Sequence, residues 1–322
     1  MSTIAAVVIG RNEGDRLVRC LNSLKEQADR IVYVDSGSTD NSVQMAQDMG
    51  IDVVDLDTTV PFTAARARNA GFEALKPDLP DYVQFVDGDC GVQDGWLTKA
   101  AAELDARPEL GIVTGWRAEI HPEHSIYNAI ADFEWHRPAG DIAACGGDMM
   151  VRAADFDAIG GFNPVVIAAE DDEFCARMRK SGKALWRLPE QMTLHDANMT
   201  TFGEWWRRAV RSGHGFAQVG ALHPEHFQAE RKRVWVFGAV LPLVLLIGVI
   251  TGFWPIVVLI AGAYGLSYLR TVSGLQREGL SRKEAKRLSV LLSLSKIPNF
   301  FGMLTYYKRR LTGADMRIIE YK

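Results

Sequence analysis

Acidic residues recur in this chain at the points where short apolar runs give out. Asp87-Gly88-Asp89 closes the run at residues 82–86, Asp35 closes residues 31–34, and Gly10-Arg11-Asn12-Glu13 closes residues 4–9. Carboxylate oxygens are the hard donors that Mg2+ and Mn2+ favour, so paired aspartates on a turn are candidate cation ligands as well as ordinary solvated turn residues. Glu170-Asp171 opens a stretch of helical character, where acids can accept a proton or simply satisfy the positive end of a helix. His195, in Thr193-Leu194-His195-Asp196, offers an imidazole compatible with Mn2+, although a lone histidine is commonly structural. Asp35 with Ser38 reads equally as a turn and helix-cap pair. Arg66, Arg68, Arg207, Arg208 and Arg211 carry guanidinium forks suited to phosphate, with surface charge or anionic lipid as the plain alternatives.

The elements that must hold these groups follow from periodicity. Up to about residue 115, short β-branched runs alternate with longer amphipathic stretches, the pattern of a parallel sheet covered by helices. Strands are expected at residues 4–9, 31–34, 53–56, 82–86 and 112–116, with helices around 17–24, 63–75 and 96–104. Ligands of open parallel sheets sit beyond the carboxyl ends of strands, so the acidic clusters should converge on one crevice. Residues 117–200 are less regular; they hold Cys145-Gly146-Gly147-Asp148, Gly160-Gly161-Phe162, a helix at 171–180 and a strand at 184–188.

Composition bounds the classes that remain. The 322 residues are 48% hydrophobic and 24% charged, a globular balance, and 36 basic against 40 acidic residues leave a formal charge of −4, which gives no sign of a nucleic-acid binder. The four cysteines form no CxxC pair, so neither a zinc site nor a disulfide framework is expected, and a reducing cytosol fits. The apolar run at residues 4–9 is too short for a signal sequence and lacks a basic lead.

The composition then shifts. Arg231-Lys232-Arg233 opens a nearly uncharged stretch to Tyr268, broken by Thr251-Gly252-Phe253-Trp254-Pro255. Each half is near the ~17 residues that a spanning helix needs, so two membrane helices at about 234–251 and 255–270 are expected. Arg270, Arg277, Arg282 and Lys283 flank the far side, and basic flanks on both outer sides place both ends in the cytoplasm. Residues 285–311 mix apolar side chains with Lys296, Lys308, Arg309 and Arg310, as an interfacial helix would. The expected domains are therefore a catalytic unit at 1–225 and a membrane-associated region at 226–322.

Taken in order, Val8-Ile9-Gly10-Arg11-Asn12-Glu13, Val34-Asp35-Ser36-Gly37-Ser38-Thr39-Asp40, Ala67-Arg68-Asn69-Ala70-Gly71, Phe85-Val86-Asp87-Gly88-Asp89, Gly160-Gly161-Phe162 and Glu170-Asp171-Asp172-Glu173-Phe174 resemble family 2 glycosyltransferases of the GT-A fold. That resemblance covers roughly residues 1–200 and implies an α/β, Rossmann-like, mostly parallel sheet with helices on both faces. It implies an inverting enzyme that uses Mn2+ or Mg2+ to take a sugar from a nucleoside diphosphate, with UDP-sugars favoured over GDP-sugars. By the same resemblance Asp87 faces the ribose, Asp89 and His195 hold the metal, and Arg11, Glu13, Asp35 and Arg68 bind the nucleotide sugar. Asp171, with Glu170 beside it, takes the proton of the acceptor hydroxyl. Asp148, Trp206, Arg207, Arg208 and Arg211 are candidates for the acceptor or its phosphate. Ser36 stands where many relatives carry a second acid, which leaves the base open, and the absence of Q-x-x-R-W implies addition of a single sugar, the acceptor being lipid-linked.

Two other classes fit parts of the pattern. A nucleotidyltransferase would need a glycine-rich, lysine-bearing phosphate loop after the first strand, which the sequence lacks, and a non-catalytic scaffold would not need intact acids at 87, 89, 170 and 171.

Overall fold

The computed structural model describes residues 2–320, which divide into two compact units. The first comprises the chain up to residue 122 with residues 131–198 and 316–318; the second comprises residues 123–130, 199–315 and those from 319 onward.

The first unit is built from β1 (Ile4–Gly10), α1 (Asp15–Leu24), β2 (Arg30–Asp35), α2 (Ser42–Asp48), β3 (Asp52–Asp55), α3 (Ala64–Leu75), β4 (Tyr82–Asp87), β5 (Cys90–Val92), α4 (Trp96–Ala106), β6 (Leu110–Glu119), the C-terminal half of α5 (Ile126–Trp135), β7 (Gly140–Asp141), β8 (Met149–Arg152), α6 (Ala153–Ala158), α7 (Glu170–Lys180) and β9 (Ala184–His195). The strands form one sheet in the order β3-β2-β1-β4-β8-β6-β9-β5, with β7 paired to β9. The expected parallel sheet holds through β3, β2, β1 and β4, whereas beyond β4 the sheet is mixed: β8 runs antiparallel to β4 and β6, and β6 is parallel to β9. The strand expected at 184–188 continues to His195 across Pro189, because the ladder with β6 shifts register between Thr114 and Trp116 and frees the proline from pairing.

This order brings the chemistry to one edge. Gly10, Asp35, Asp87, Glu119 and His195 all end strands that point the same way. Because β8 is antiparallel to β4, its beginning, preceded by Asp148, arrives there too.

Alternation along the strands builds a core on each face. Ala6, Val8, Tyr33 and Val86 pack with Leu17, Leu21, Trp96 and Leu97 on one side; Ala5, Val7, Val32 and Phe85 pack with Phe72, Phe156, Phe162 and Phe174 on the other. The Ala67-Arg68-Asn69-Ala70-Gly71 motif finds its meaning here. Asn69 exchanges two hydrogen bonds with the backbone of Phe162, donating to its carbonyl at 2.7 Å and accepting from its N–H at 2.9 Å. Gly71 lets α3 lie directly on the sheet, since a β-carbon there would run into Val7 and Val34.

In the second unit, α8 (Phe202–Leu222) starts from a capping box, in which Thr201 accepts from the Glu204 N–H while Glu204 accepts from the Thr201 N–H. Then come α9 (Gln228–Trp235), a π-helical stretch (Val236–Val240), α10 (Leu241–Thr251), α11 (Trp254–Arg277), α12 (Arg282–Leu294) and α13 (Lys296–Thr312). The π stretch coincides with the Tyr264 hydroxyl donating to the Phe237 carbonyl at 2.6 Å, a side chain engaging the helix ladder. Helices α10 and α11 form the expected hairpin, closed by Gly252 in the left-handed region. Among the described residues, three helical segments, Gln228–Thr251, Trp254–Arg277 and Arg282–Thr312, are long and apolar enough to cross a membrane, by length and composition. The third coincides with the expected interfacial helix; 39% of its most apolar window is buried, against 17% and 11% for the other two. Helices α8 and α13 cross closely at Gly213 and Gly302, where a β-carbon would meet the Asn299 and Val210 carbonyls.

Gly71→Ala, adding one methyl to a filled helix-sheet contact, should cost about 1–3 kcal/mol. Thermal unfolding of the detergent-solubilised protein checks this: the melting temperature should fall by several degrees, and an unchanged value would contradict the packing described.

Candidate active site

The loops after β1 and β2 are tied to each other. Asn12, at φ 58°, accepts from the Thr39 N–H at 2.7 Å, while its own N–H donates to Ser38 Oγ at 2.9 Å. Asp35 is taken up by its own turn. Its Oδ1 accepts from the Tyr33 and Ser38 hydroxyls, and its Oδ2 accepts from the Gly37 and Ser38 N–H groups at 2.9 and 2.7 Å. Four donors use the acceptor capacity of one carboxylate, so the turn-organising role is the one its geometry displays. Glu13 lies against Gly10 and Gly88 and pairs with Arg16 at 2.9 Å, and the Arg11 guanidinium lies 4.9 Å from the centre of the Phe62 ring.

The two arginines weighed from the sequence separate. Arg66 donates to the Asp57, Val60 and Pro61 carbonyls and so fastens a loop. Arg68, only 2% exposed, bridges two acids, with Nη2 at 2.8 Å from Asp87 Oδ1 and Nη1 at 2.8 Å from Glu170 Oε1. Gly147 is needed beside it, because any side chain at that position would collide with the guanidinium. A second cation, Arg117, pairs with Asp148 Oδ2 at 2.6 Å and with Asp87 Oδ2 at 3.3 Å. Asp148, 1% exposed, also accepts from Thr193 Oγ1 at 2.9 Å and from the Asp87 N–H at 3.1 Å. Its role in the structure is to brace Asp87. Burial opposes ionisation of Asp87, but Arg68 and Arg117 outweigh it and hold the carboxyl below the usual range.

Asp89 follows on the turn and is nearly buried. Its Oδ1 faces His195 Nε2 at 3.3 Å, and His195 Nδ1 stands 3.6 Å from Glu119 Oε2. An imidazole with a carboxylate on each side needs a cation on at least one of them. Burial disfavours a charged ring, yet Asp89 and Glu119 raise its pKa above the ordinary value. A divalent ion could take the proton's place between Nε2 and Asp89. Asp89, Cys90 and His195 offer ligand atoms within 4.8 Å of one another, of which the soft Cys90 sulfur is the poorest match for Mg2+ or Mn2+. The remaining oxygen and nitrogen donors fit Mn2+ or Mg2+, with the imidazole inclining to Mn2+.

Ala169, at φ 57°, precedes α7, whose first turn carries Glu170 and Asp171. Glu170 is buried on Arg68. Asp171 is half-buried and accepts from the Asp172 N–H at 2.9 Å; burial first and Glu170 second raise its pKa to about 7. A carboxylate poised there is matched to proton transfer near neutrality. One bridge, Arg68, thus joins the Asp87 turn to the Glu170-Asp171 pair. Trp206, packed with Phe202 and Phe301, and Arg207, Arg208 and Arg211 lie on α8 in the second unit.

Arg117 and Glu119 did not emerge from sequence periodicity. Both are charged, two apart and at the carboxyl end of a strand, which places them on one face aimed at the same edge; that spacing was the available signal. Trp135 also joins unannounced, 4.6 Å from His195 and 5.3 Å from the Arg117 guanidinium.

A mixed α/β sheet whose parallel strands end on one acidic edge has the architecture of the GT-A fold. Residues 5–147 match the model of glycosyl transferase family 2, and residues 124–201 match that of the N-terminal domain of galactosyltransferase. A family 2 glycosyltransferase domain is therefore recognised over residues 5–147, somewhat under half of the chain. Among solved structures it resembles a mannosyltransferase from Pyrobaculum calidifontis in complex with GDP-Man and Mn2+, with a TM-score of 0.62 at 17% identity, covering 93% of this chain and 87% of that one. It also resembles S. aureus TarS 1-349 in complex with UDP-GlcNAc, with a TM-score of 0.53 at 16% identity, covering 97% and 92%. An uncharacterized glycosyltransferase of Rickettsia felis is 41% identical over 54 residues, 17% of this chain and 19% of that protein. The chain matches a third or less of the length of its curated relatives.

Removing Arg68 leaves two buried acids uncompensated, whereas removing Arg66 loosens a surface loop. Arg68→Met should therefore cost about 3–5 kcal/mol and Arg66→Met no more than about 1 kcal/mol, as measured by denaturant unfolding. Equal losses would contradict the assignment of the buried bridge.

Proposed function

We propose that the protein is an inverting, metal-dependent glycosyltransferase that moves one sugar from a nucleoside-diphosphate sugar to a lipid-linked acceptor at the cytoplasmic face of the inner membrane. The observation that supports the reading is the Arg68 bridge, which ties Asp87, two residues before Asp89, to Glu170, next to Asp171; Asp89 with His195 is proposed as the cation-accepting pair and Asp171 as the proton acceptor. Asp89 and His195 would hold Mn2+ or Mg2+, whose Lewis acidity would neutralise the departing diphosphate. Asp87, fixed by Arg68 and Arg117, accepts hydrogen bonds from the donor sugar nucleotide. Asp171 takes the proton as the acceptor hydroxyl attacks the anomeric carbon from the side opposite the diphosphate, and the configuration inverts. UDP and GDP donors are both represented among the structural neighbours, and UDP remains the favoured expectation. Arg11, Glu13 and Asp35 line the nucleotide end, the last through the turn it organises. Trp206, Arg207, Arg208 and Arg211 are proposed to receive the acceptor's phosphate.

Membrane attachment rests on the apolar helices and their basic flanks. Leu243, Leu246, Ile250, Val258, Leu259 and Leu269 on α10 and α11 are all at least 55% exposed, so lipid would cover side chains that water leaves bare. In this reading the catalytic domain is 1–225, residues 226–322 form the membrane-associated region, and the segment from Arg282 lies at the interface.

The base assignment separates chemistry from binding. Asp171→Asn preserves shape and the Asp172 contact but removes the proton acceptor, so turnover should fall about 100- to 10,000-fold while donor affinity persists. A folded variant keeping more than about a tenth of wild-type turnover would place the base elsewhere. Because the base acts ionised and its pKa is raised to about 7, log kcat/KM should rise with pH below about 7 and level above it; a profile flat from pH 5.5 to 8 would contradict this. Alkaline carbonate should leave the full chain in the membrane pellet, and its release into the supernatant would overturn the spanning hairpin.

A further inference from the structure

Glu119 ends β6 directly opposite the end of β9, in register with His195. It is 4% exposed, and its carboxylate is fixed by backbone: Oε2 accepts from the Ala197 N–H at 2.9 Å and Oε1 from the His121 N–H at 3.2 Å. The Glu119 N–H donates in turn to Asp132 Oδ1 at 2.8 Å. A carboxylate held this firmly cannot swing away from the ring beside it. Its Oε2 lies 3.6 Å from His195 Nδ1, a few tenths of an ångström beyond an ordinary hydrogen bond, and Nδ1 is buried. On the other side of the same ring, Nε2 faces Asp89 Oδ1 at 3.3 Å, and Trp135 packs edge-on at 4.6 Å.

We infer that Glu119 is a positioning residue for the metal: it accepts the Nδ1 proton of His195, fixes the ring, and leaves the Nε2 lone pair pointing at the cation shared with Asp89. This rests on the metal-dependent reading proposed above. A carboxylate behind a ligating imidazole sets the tautomer and raises the basicity of the ligand nitrogen. In this role Glu119 acts through His195. By strengthening the nitrogen ligand it also biases the site toward Mn2+ over Mg2+, which prefers an all-oxygen shell. The opposing role is structural, a carboxylate that only fastens residues 121 and 197 to the strand end.

The experiment is a double-mutant cycle on Mn2+ binding. The full-length protein is titrated with Mn2+ in the presence of UDP, and separately of GDP, by the EPR signal of the free aquo ion; nitrogen coupling to the bound ion is read by pulsed EPR. Glu119→Ala should weaken Mn2+ binding about 10- to 100-fold and diminish the nitrogen coupling. His195→Ala should weaken binding and abolish the coupling. Adding Glu119→Ala to His195→Ala should change affinity by no more than about twofold, the scatter of independent sites. Glu119→Gln keeps the volume and should show the same pattern at smaller size, so it carries the test if the alanine variant does not fold. Equal losses from Glu119 substitution with and without His195 would show a structural role and overturn the inference. Mn2+ binding to the wild type without nitrogen coupling would overturn it while leaving Asp89 as the ligand. No Mn2+ binding to the wild type with either nucleotide would overturn the metal-dependent reading itself, and the inference with it.

Discussion

The first unit is organised around the cost of crowding carboxylates at one sheet edge. Asp87, Asp89, Glu119, Asp148, Glu170 and Asp171 meet there, and Arg68 and Arg117 are the cations that bridge them. Ionised groups taken out of water are strongly disfavoured unless paired. Arg68 meets that condition for Asp87 and Glu170 at once, and Arg117 does so for Asp87 and Asp148. Asp89 and Asp171 lie next in sequence to members of this network, Asp89 on the Asp87 turn and Asp171 beside Glu170. Asp171 responds by holding its proton to about pH 7, and Asp89 by drawing charge onto His195. The proposed metal and proton roles thus fall on the two positions beside the bridged acids.

Topology is what allows that crowding. Parallel strands β1, β2 and β4 deliver their carboxyl ends to the edge, and a parallel β8 would place Arg152 there and carry Asp148 to the opposite edge. Reversing β8 instead brings its start, with Asp148, to the back of Asp87, and the parallel pair β6 and β9 then contributes Arg117, Glu119 and His195 in matching register. The glycines follow from this density. Gly147 exists for Arg68 and Gly71 for the approach of α3 to the sheet.

Much of this was legible in the sequence because local patterns encode it. The apolar runs ending in Asp35 and Asp87, and the acids opening α7, sit within a few residues of the strand or helix that places them. What depended on distant pairing was not legible. Short β5 and β8 carry too few residues for a period to show, and Pro189 disguised the length of β9 until the bulge opposite it was visible. Asp148 looked like a contact for the acceptor because nothing local reveals that Arg117, thirty-one residues earlier, claims it. Asp35 looked like a nucleoside ligand, and only the positions of Tyr33, Gly37 and Ser38 reveal how fully its oxygens are used. The helical hairpin was plain from composition, whereas the π stretch before it coincides with a contact from Tyr264, far along the chain.

The central claim is that one network divides its labour, with the cation at the Asp89 and His195 end and the proton acceptor at the Asp171 end. Anomalous diffraction from crystals grown with Mn2+ and a nucleoside diphosphate reads this directly. The account predicts a single manganese peak in the first unit, within bonding distance of the Asp89 carboxylate and His195 Nε2, with Arg68 still paired to Glu170 and Asp171 free of metal. A manganese peak on the Glu170-Asp171 pair, with none at Asp89, would contradict it.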